Sequence, residues 1–388
     1  MTPILYFDNA ATTPVDPRVV EAMTACLTAA GEFANPASGH APGARAKRLV
    51  EEARAAIGAR VNAPPERILF TSGATEANNL ALKGALRART AERRHLITTR
   101  IEHKSVTESA RALAGEGVEV TYLDCDAQGI VSPDSVRAAI TDATVLVSIM
   151  HVNNEIGVIE DVAEIARICR SRGVLLHVDA AQSAGKIPLD LAGWGIDLCS
   201  LTAHKINGPK GIGALYVRRD VALAPLIHGG EPELGVRGGT LPTHQIAGMG
   251  KAYELADPAL EGARLAELRD LLWCSLAALG GVTRNGCPER SAPHILNVTF
   301  RGVDGTSLLC ALDDIAISQG SACASSTPEP SHVLRSIGLS DALAQSTLRF
   351  GLGRFTERAD VERLVERVGM ELKRLRTLAG SAPVWCSS

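Results

Sequence analysis

Short apolar segments alternate with helix-like segments along the first part of the chain, up to about residue 218. Residues 68–71, 145–151 and 174–178 are typical of buried strands, and stretches with apolar residues at helical spacing separate them. This β-α-β rhythm predicts an α/β fold with a mostly parallel, doubly wound sheet whose faces are both covered by helices. Ligands of such sheets bind beyond the carboxyl ends of the strands, so functional residues are expected there.

The pattern changes in the second part of the chain. From residue 225 the alternation of strands and helices becomes less regular. Glycine-rich segments precede two long predicted helices at 243–255 and 260–279. Beyond residue 280 strand-like segments are followed by helical ones. This predicts a second, smaller domain of α+β type.

Composition narrows the classes of function. The hydrophobic content of 46% allows a sizeable core, and the net charge of −3 offers no field for nucleic acid or an anionic membrane. No apolar run approaches the roughly 20 residues that span a bilayer, and the N-terminus lacks the features of a signal peptide. The nine cysteines are odd in number and include no Cys-x-x-Cys pair, which argues against a disulfide framework or a zinc site. We therefore expect a cytoplasmic protein without a metal site.

The stretch from Gly195 to Val217 carries a lysine in a chain with only eight lysines against 32 arginines. Lys205 follows a predicted buried strand at 197–201 and precedes another at 213–218. Burial there would desolvate the ammonium group and lower its pKa toward that of a nucleophilic amine, as Schiff-base chemistry demands. The alternative is a lysine that extends to solvent and pairs with a carboxylate. This stretch alone does not decide between the two.

A second informative stretch contains a predicted strand at 68–71, a break at Ser72-Gly73 and a predicted helix at 74–88. Strand, glycine turn and helix N-terminus form a phosphate cradle of free backbone N–H groups, to which Ser72 and Thr75 add hydroxyl groups. The spacing matches neither GxGxxG nor a Walker A motif, which disfavours a dinucleotide or a nucleoside triphosphate. The alternative is an ordinary βα turn with a threonine cap.

Polar residues from several segments share one property: each comes shortly after a predicted strand. Singly, any of them is explained as a loop residue with satisfied hydrogen bonds, but that explanation is much weaker for the whole set. The set is Thr75, His103, Asn154, Asp179, Gln182, Thr202, His204 and Lys205.

Short motifs occur in order along nearly the whole chain. They are Asp8-Asn-Ala-Ala-Thr-Thr13, Thr71-Ser-Gly-Ala-Thr-Glu76, Glu102-His103, Asn153-Asn-Glu-Ile-Gly157, His177-Val-Asp-Ala-Ala-Gln182, Ala203-His-Lys205, Gly238-Gly-Thr240, Gly320-Ser-Ala-Cys323 and Leu348-Arg-Phe350. With these motifs the chain resembles the cysteine desulfurases within the class V aminotransferase group of pyridoxal-phosphate (PLP) enzymes, and most closely the housekeeping iron–sulfur assembly type. The resemblance implies PLP fold type I, with a large PLP-binding domain at 15–258 and a small α+β domain formed by 1–14 and 259–388.

The resemblance also implies roles around the cofactor. Lys205 would bind PLP covalently and later move protons at the substrate α-carbon. Asp179 would pair with the protonated ring nitrogen, Gln182 would bind the phenolic oxygen, and His103 would stack on the ring and serve in acid–base steps. The remaining cofactor-binding residues would be Thr75, Thr202 and His204 at the phosphate, Thr240 reaching across from a second subunit, and Asn154.

Substrate binding and sulfur transfer complete the implied reaction. Arg349, together with Asn154, would hold the carboxylate of L-cysteine. Cys323 would take the substrate sulfur as a persulfide and release L-alanine. The resemblance implies a homodimer that passes sulfur to an iron–sulfur scaffold protein and to other acceptors, with tRNA thiolation as a further destination.

Two other readings are compatible with the motifs. One is a related PLP-dependent lyase, such as a selenocysteine lyase, or an aminotransferase that does not use a thiol. The other is a non-catalytic adaptor that kept the fold. Loss of turnover on removal of the Cys323 thiol separates the leading hypothesis from the first, and sulfide formation from cysteine excludes the second.

Overall fold

The computed structural model describes residues 4–89, 94–230, 233–319 and 330–378. Within these ranges the strands are β1 (Leu5–Tyr6), β2 (Ile68–Thr71), β3 (His95–Thr99), β4 (Glu119–Leu123), β5 (Thr144–Met150), β6 (Leu175–Asp179), β7 (Leu198–Thr202), β8 (Gly213–Val217), β9 (Val282–Asn285), β10 (Ile295–Phe300), β11 (Ile315–Ala316) and β12 (Thr347–Gly351).

The helices of the same ranges cover the sheets and connect the strands. They are α1 (Pro17–Thr24), α2 (Ala41–Val61), α3 (Ala74–Arg87), α4 (Lys104–Gly115), α5 (Pro133–Ala139), α6 (Val162–Ser171), α7 (Leu191–Trp194), α8 (Thr243–Leu255), α9 (Pro258–Ala277), α10 (Gly305–Ala311), α11 (His332–Ser336), α12 (Asp341–Gln345) and α13 (Arg358–Leu378), with short 3₁₀ turns at Pro65–Arg67 and Glu233–Gly235.

The large sheet has seven strands in the order β2-β8-β7-β6-β5-β3-β4. Strand β8 runs antiparallel to both of its neighbours, whereas β3 to β7 pair in parallel. All seven residues of β5 are buried, as expected for a strand covered on both faces. The predicted α/β fold with a mostly parallel, doubly wound sheet is confirmed.

One strand boundary differs from the prediction in a way that affects the site. Strand β7 was predicted at 197–201 but spans Leu198–Thr202. Asp197 lies just before the strand, where its carboxylate accepts the backbone N–H of Leu176 at 2.7 Å and pairs with Arg218 at 2.9 Å. Thr202 is the last residue of the strand.

A second apolar core surrounds the small sheet β12-β10-β9. Helices α9 and α13 supply much of it, and Phe7 from the N-terminal segment is fully buried there. Strand β1 pairs in parallel with β11, which attaches the N-terminus to this part of the molecule. We propose the division at 15–258 from these cores, although Val333 and Leu334 of α11 pack in the core of the large sheet.

Transmembrane segments were sought among the helices of the described ranges. None of these helices combines the length and the apolar character that crossing a lipid bilayer requires.

Candidate active site

A cavity of about 450 Å³ opens where strands of the large sheet end. Its walls come from the residues after β2, β3, β5, β6 and β7, together with the N-terminal turn and β12. Nine of the predicted site residues line it: Thr75, His103, Asn154, Asp179, Gln182, Thr202, His204, Lys205 and Arg349.

Lys205 lies three residues beyond β7. Its Nζ donates to the carbonyl oxygens of Ala10 and Ala11, both at 2.6 Å. A second buried lysine, Lys186, is close in space, and burial lowers its pKa well below the usual value. The Lys186 Nζ has no hydrogen-bond partner among the described residues and borders a neighbouring space of only about 20 Å³. Lys210 also lines the cavity, but it is exposed to solvent. We therefore propose Lys205, which is partly buried in the cavity wall, as the amine that meets a ligand.

Asp179 is the last residue of β6 and is 5% exposed. One of its carboxylate oxygens accepts the N–H of Ala181 at 2.9 Å, and the other accepts Asn78 Nδ2 at 2.7 Å. Each oxygen retains capacity for a further hydrogen bond. These hydrogen bonds fix the carboxylate in the cavity wall, and it can accept a further hydrogen bond from a protonated ligand atom.

His103 is the N-cap of α4. Its Nδ1 accepts the backbone N–H of Ser105 at 3.1 Å and lies 2.8 Å from Ser105 Oγ. Burial lowers the pKa of His103; Asp179 opposes this shift and Lys205 adds to it. The imidazole is therefore neutral near pH 7, and it lines the cavity.

The start of α3 forms an anion site. Gly73 is its N-cap, and none of the described side chains caps this helix end. A Cβ built on Gly73 would meet no described atom within 4 Å, so the turn faces open space. Thr75 is exposed on this turn, whereas Thr202 Oγ1 is buried without a partner in the described ranges. Free N–H groups, a helix dipole and unused hydroxyl groups suit a phosphate.

His204 borders the same end of the cavity. Its Nδ1 lies 3.2 Å from Thr12 Oγ1. Burial, reinforced by Lys205, lowers the pKa of His204 to about 3. The ring is therefore neutral and can donate one hydrogen bond without adding a charge.

Glu76 is a site residue to which the sequence analysis assigned no role. Its carboxylate accepts the N–H of Ser72 at 2.7 Å and pairs with Arg237 at 3.0 Å. Arg237 offsets a negative charge that would otherwise oppose an anion at the cradle. It also ties the segment before Thr240 to the turn at the start of α3.

Arg349 is 1% exposed in β12 and reaches the cavity from the small sheet. It donates to Asp8 Oδ1 at 2.8 Å and to the carbonyl oxygen of Asn154 at 3.0 Å. Its Nε has no partner among the residues described. Asp8 was quoted in a motif without a role, and the structure shows that it orients the guanidinium.

Gln182 lies on the side of the cavity that faces the N-terminal turn. Its Nε2 donates to the carbonyl oxygen of Ala10 at 2.8 Å, and its Oε1 lies 3.3 Å from His294 Nε2. These contacts orient the amide beside Lys205, which binds the same carbonyl group.

Two predicted site residues remain. Thr240 lines a different surface cavity of about 640 Å³, next to Arg54 and Leu241. Cys323 lies outside the described residues. Within those residues, no cluster of three or more histidine, cysteine or carboxylate side chains is arranged to hold a metal ion.

Comparison with known proteins places this site in a family. The family model described as aminotransferase class V matches residues 5–364. The cysteine desulfurase IscS of Serratia proteamaculans is 50% identical over 386 residues, which cover 98% of this chain and 95% of that protein. The chain belongs to the cysteine desulfurases of the class V aminotransferase family. The resemblance stated from the motifs is thus confirmed.

Solved structures agree with this assignment to the cysteine desulfurases. A NifS-like protein superimposes with a TM-score of 0.90 at 35% identity, covering 96% of this chain and 100% of that one. SspA in complex with cysteine gives a TM-score of 0.83 at 40% identity, covering 91% of this chain and 99% of SspA. The predicted PLP fold type I and the PLP cofactor are confirmed for this desulfurase.

The side chains of the cavity fit PLP on their own chemistry. The cradle at α3 and the orphaned Thr202 hydroxyl suit a phosphate dianion, and Lys205 suits an aldehyde carbon. Asp179 suits a protonated ring nitrogen, and the neutral imidazole of His103 suits a ring face. The volume is in the range that holds a small cofactor together with an amino acid.

Proposed function

We propose that this enzyme converts L-cysteine to L-alanine and transfers the substrate sulfur to Cys323 as a persulfide. The observation that supports this most strongly is the convergence of Lys205, Asp179 and Arg349 on one cavity from separate parts of the chain. When bound there, PLP supplies an electron sink for bonds at the substrate α-carbon.

The residues of the cavity bind the substrate and transfer protons. Arg349, oriented by Asp8, binds the substrate carboxylate, and Asn154 supports it. Lys205 moves the proton at the α-carbon once its amine is free, because its side chain lines the same cavity as Arg349. His103 donates only from Nε2, since its Nδ1 is occupied.

Sulfur transfer is a displacement at the substrate sulfur. The Cys323 thiolate forms an S–S bond with that sulfur while the carbon–sulfur bond breaks. The bonding electron pair stays with the substrate β-carbon, which takes a proton and becomes the methyl group of alanine. No external oxidant is required, because thiol and cysteine give persulfide and alanine in balance.

Mass spectrometry tests this step. After incubation of the holoenzyme with L-cysteine, we expect a mass increase of one sulfur atom on the peptide that contains Cys323, together with free alanine. Cys310→Ser is the matched control, because Cys310 is an exposed free thiol among the described residues. Sulfur on the Cys310 peptide instead, or alanine without any persulfide, would contradict the proposal.

We propose that the enzyme is a homodimer in which Thr240 completes the phosphate site of the partner subunit. Thr240 lines a separate surface cavity rather than the cavity of its own chain, and hydrogen bonds attach its segment to the rest of the molecule. The buried carboxylate of Glu233 accepts Arg54 Nη1 at 3.1 Å and the N–H of Phe70. Together with Arg237 and Glu76, this pair presents Thr240 at the surface.

Mixed dimers test whether Thr240 crosses to the phosphate site of the partner subunit. With Lys205→Ala in one subunit and Thr240→Val in the other, the working site receives an intact Thr240, so its PLP dissociation rate should match the wild type. With both changes in one subunit, the working site receives valine, and PLP should dissociate about tenfold faster after loss of a hydrogen bond to a charged group. Equal dissociation rates from the two arrangements would refute the crossing.

We further propose that the enzyme works in the cytoplasm and passes sulfur to an iron–sulfur scaffold protein and to other acceptors, including those of tRNA thiolation. The seven cysteines of the described ranges are all free thiols, which suits a reducing compartment. The IscS-type relatives support this assignment of the sulfur to cluster assembly.

A further inference from the structure

Asn78 lies on α3 and has no exposed surface. Its Nδ2 donates to Asp179 Oδ2 at 2.7 Å and to Ser105 Oγ at 2.8 Å. A carboxylate only accepts hydrogen bonds, so the amide must turn its NH₂ group toward Asp179. One side chain therefore joins the carboxylate to the first turn of α4.

Ser105 carries the connection to His103. Because its Oγ accepts from Asn78, its own O–H is available for His103 Nδ1 at 2.8 Å. The backbone N–H of Ser105 donates to the same nitrogen at 3.1 Å. A nitrogen that receives two donors carries no proton, so the neutral imidazole is the Nε2–H tautomer.

Packing alone does not explain an asparagine at this position. Its Oδ1 is buried and has no partner in the part of the chain that the structure describes. Burying an unsatisfied polar atom is unfavourable, and an apolar side chain would fill the same volume without that cost. The asparagine is instead explained by the hydrogen bonds that its NH₂ group donates to Asp179 and Ser105.

We propose that Asn78 and Ser105 are positioning residues, which link the Asp179 carboxylate to the His103 imidazole and hold both in the arrangement that the reaction needs. The inference rests on the proposed roles of Asp179 and His103. Asn78 directs one carboxylate oxygen and leaves its remaining lone pair for the ring nitrogen of PLP. Ser105 keeps the proton of the neutral His103 imidazole on Nε2.

The isosteric variant Asn78→Asp separates positioning from packing. It keeps the volume but removes the donors and sets a second carboxylate against Asp179. In the holoenzyme we expect kcat for cysteine to fall about tenfold to a hundredfold, with a smaller change in KM. A wild-type kcat in this variant would contradict the positioning role.

Ser105→Ala and Ser109→Ala form a matched pair of buried serines on α4. Ser109 donates only to the carbonyl oxygen of Ser105, so its loss should leave kcat unchanged. Ser105→Ala removes one of the two donors to His103 and should lower kcat about threefold to tenfold. This pair also decides the question if Asn78→Asp does not fold.

The tautomer is measured without turnover. In the full-length protein labelled with ¹⁵N-histidine, with and without PLP, the signal assigned through His103→Gln should show the Nε2–H tautomer. Ser105→Ala and Asn78→Asp should shift it toward a mixture, and Ser109→Ala should not. A wild-type signal and kcat in both Ser105→Ala and Asn78→Asp would overturn the inference.

Different results would refute the positioning role of Asn78 and Ser105 and the proposed roles of Asp179 and His103. If Asp179→Ala and His103→Gln lose turnover while Asn78→Asp keeps it, the positioning role is wrong and the roles of Asp179 and His103 stand. If Asp179→Ala and His103→Gln both keep turnover, the assigned roles fail and the inference falls with them.

Discussion

Lys205→Ala is expected to abolish covalent attachment of PLP and to lower turnover by about a thousandfold or more, because both the covalent bond and a proton-transfer group are lost. The phosphate cradle at the start of α3 is independent of this side chain, so PLP should still bind reversibly. Absorbance of the purified protein, before and after removal of free PLP by gel filtration, measures attachment. Alanine production measures turnover.

Lys186→Met is the control for Lys205→Ala. Lys186 is the other buried lysine beside the site, but it borders the small neighbouring space rather than the main cavity. The methionine variant should keep covalently attached PLP and should keep turnover within about threefold, since a flexible apolar side chain replaces an unpartnered amine. Loss of attachment in Lys186→Met but not in Lys205→Ala would reverse the two assignments.

Cys323→Ala is expected to keep full PLP content and the cysteine-dependent absorbance change, while sulfide released in the presence of a reductant falls to near zero. The cavity that holds PLP and substrate is built from other residues, so binding survives removal of the thiol. Cleavage of the carbon–sulfur bond lacks its acceptor and stops.

The same variant separates the leading function from its alternatives. A lyase or an aminotransferase that does not use a thiol would keep its turnover in Cys323→Ala. Cys310→Ser should behave as the wild type in every assay, because Cys310 lies on α10, a helix that does not line the cavity. Undiminished sulfide release from Cys323→Ala would rule out the persulfide route.

The sheet and most of the cavity were predictable because both follow from the spacing of apolar residues and from the topology of parallel strands. Strands buried on both faces appear as apolar runs, and parallel strands bring their carboxyl ends to one edge. Residues as far apart in sequence as Thr75 and Lys205 could therefore be assigned to one site. Arg349 and Cys323 came from the resemblance rather than from the pattern.

The sequence pattern is uninformative at the residues whose roles were not predicted. Asn78 and Ser105 are on helices, where a polar side chain is usually a solvated one, and only the packing of α3 on α4 buries them. Asp8 follows a strand of two residues, too short for a period to show, and its position depends on pairing with β11 about 310 residues later. The proposed role of Thr240 came from the resemblance rather than from the pattern.

Borohydride reduction of the PLP-loaded protein, followed by peptide mapping, identifies the lysine that binds the cofactor. A stable adduct on the peptide containing Lys205, absent from Lys205→Ala and retained in Lys186→Met, is the predicted result. An adduct on the Lys186 or Lys210 peptide, or no adduct at all, would contradict the assignment of Lys205 as the residue that binds PLP in this cavity.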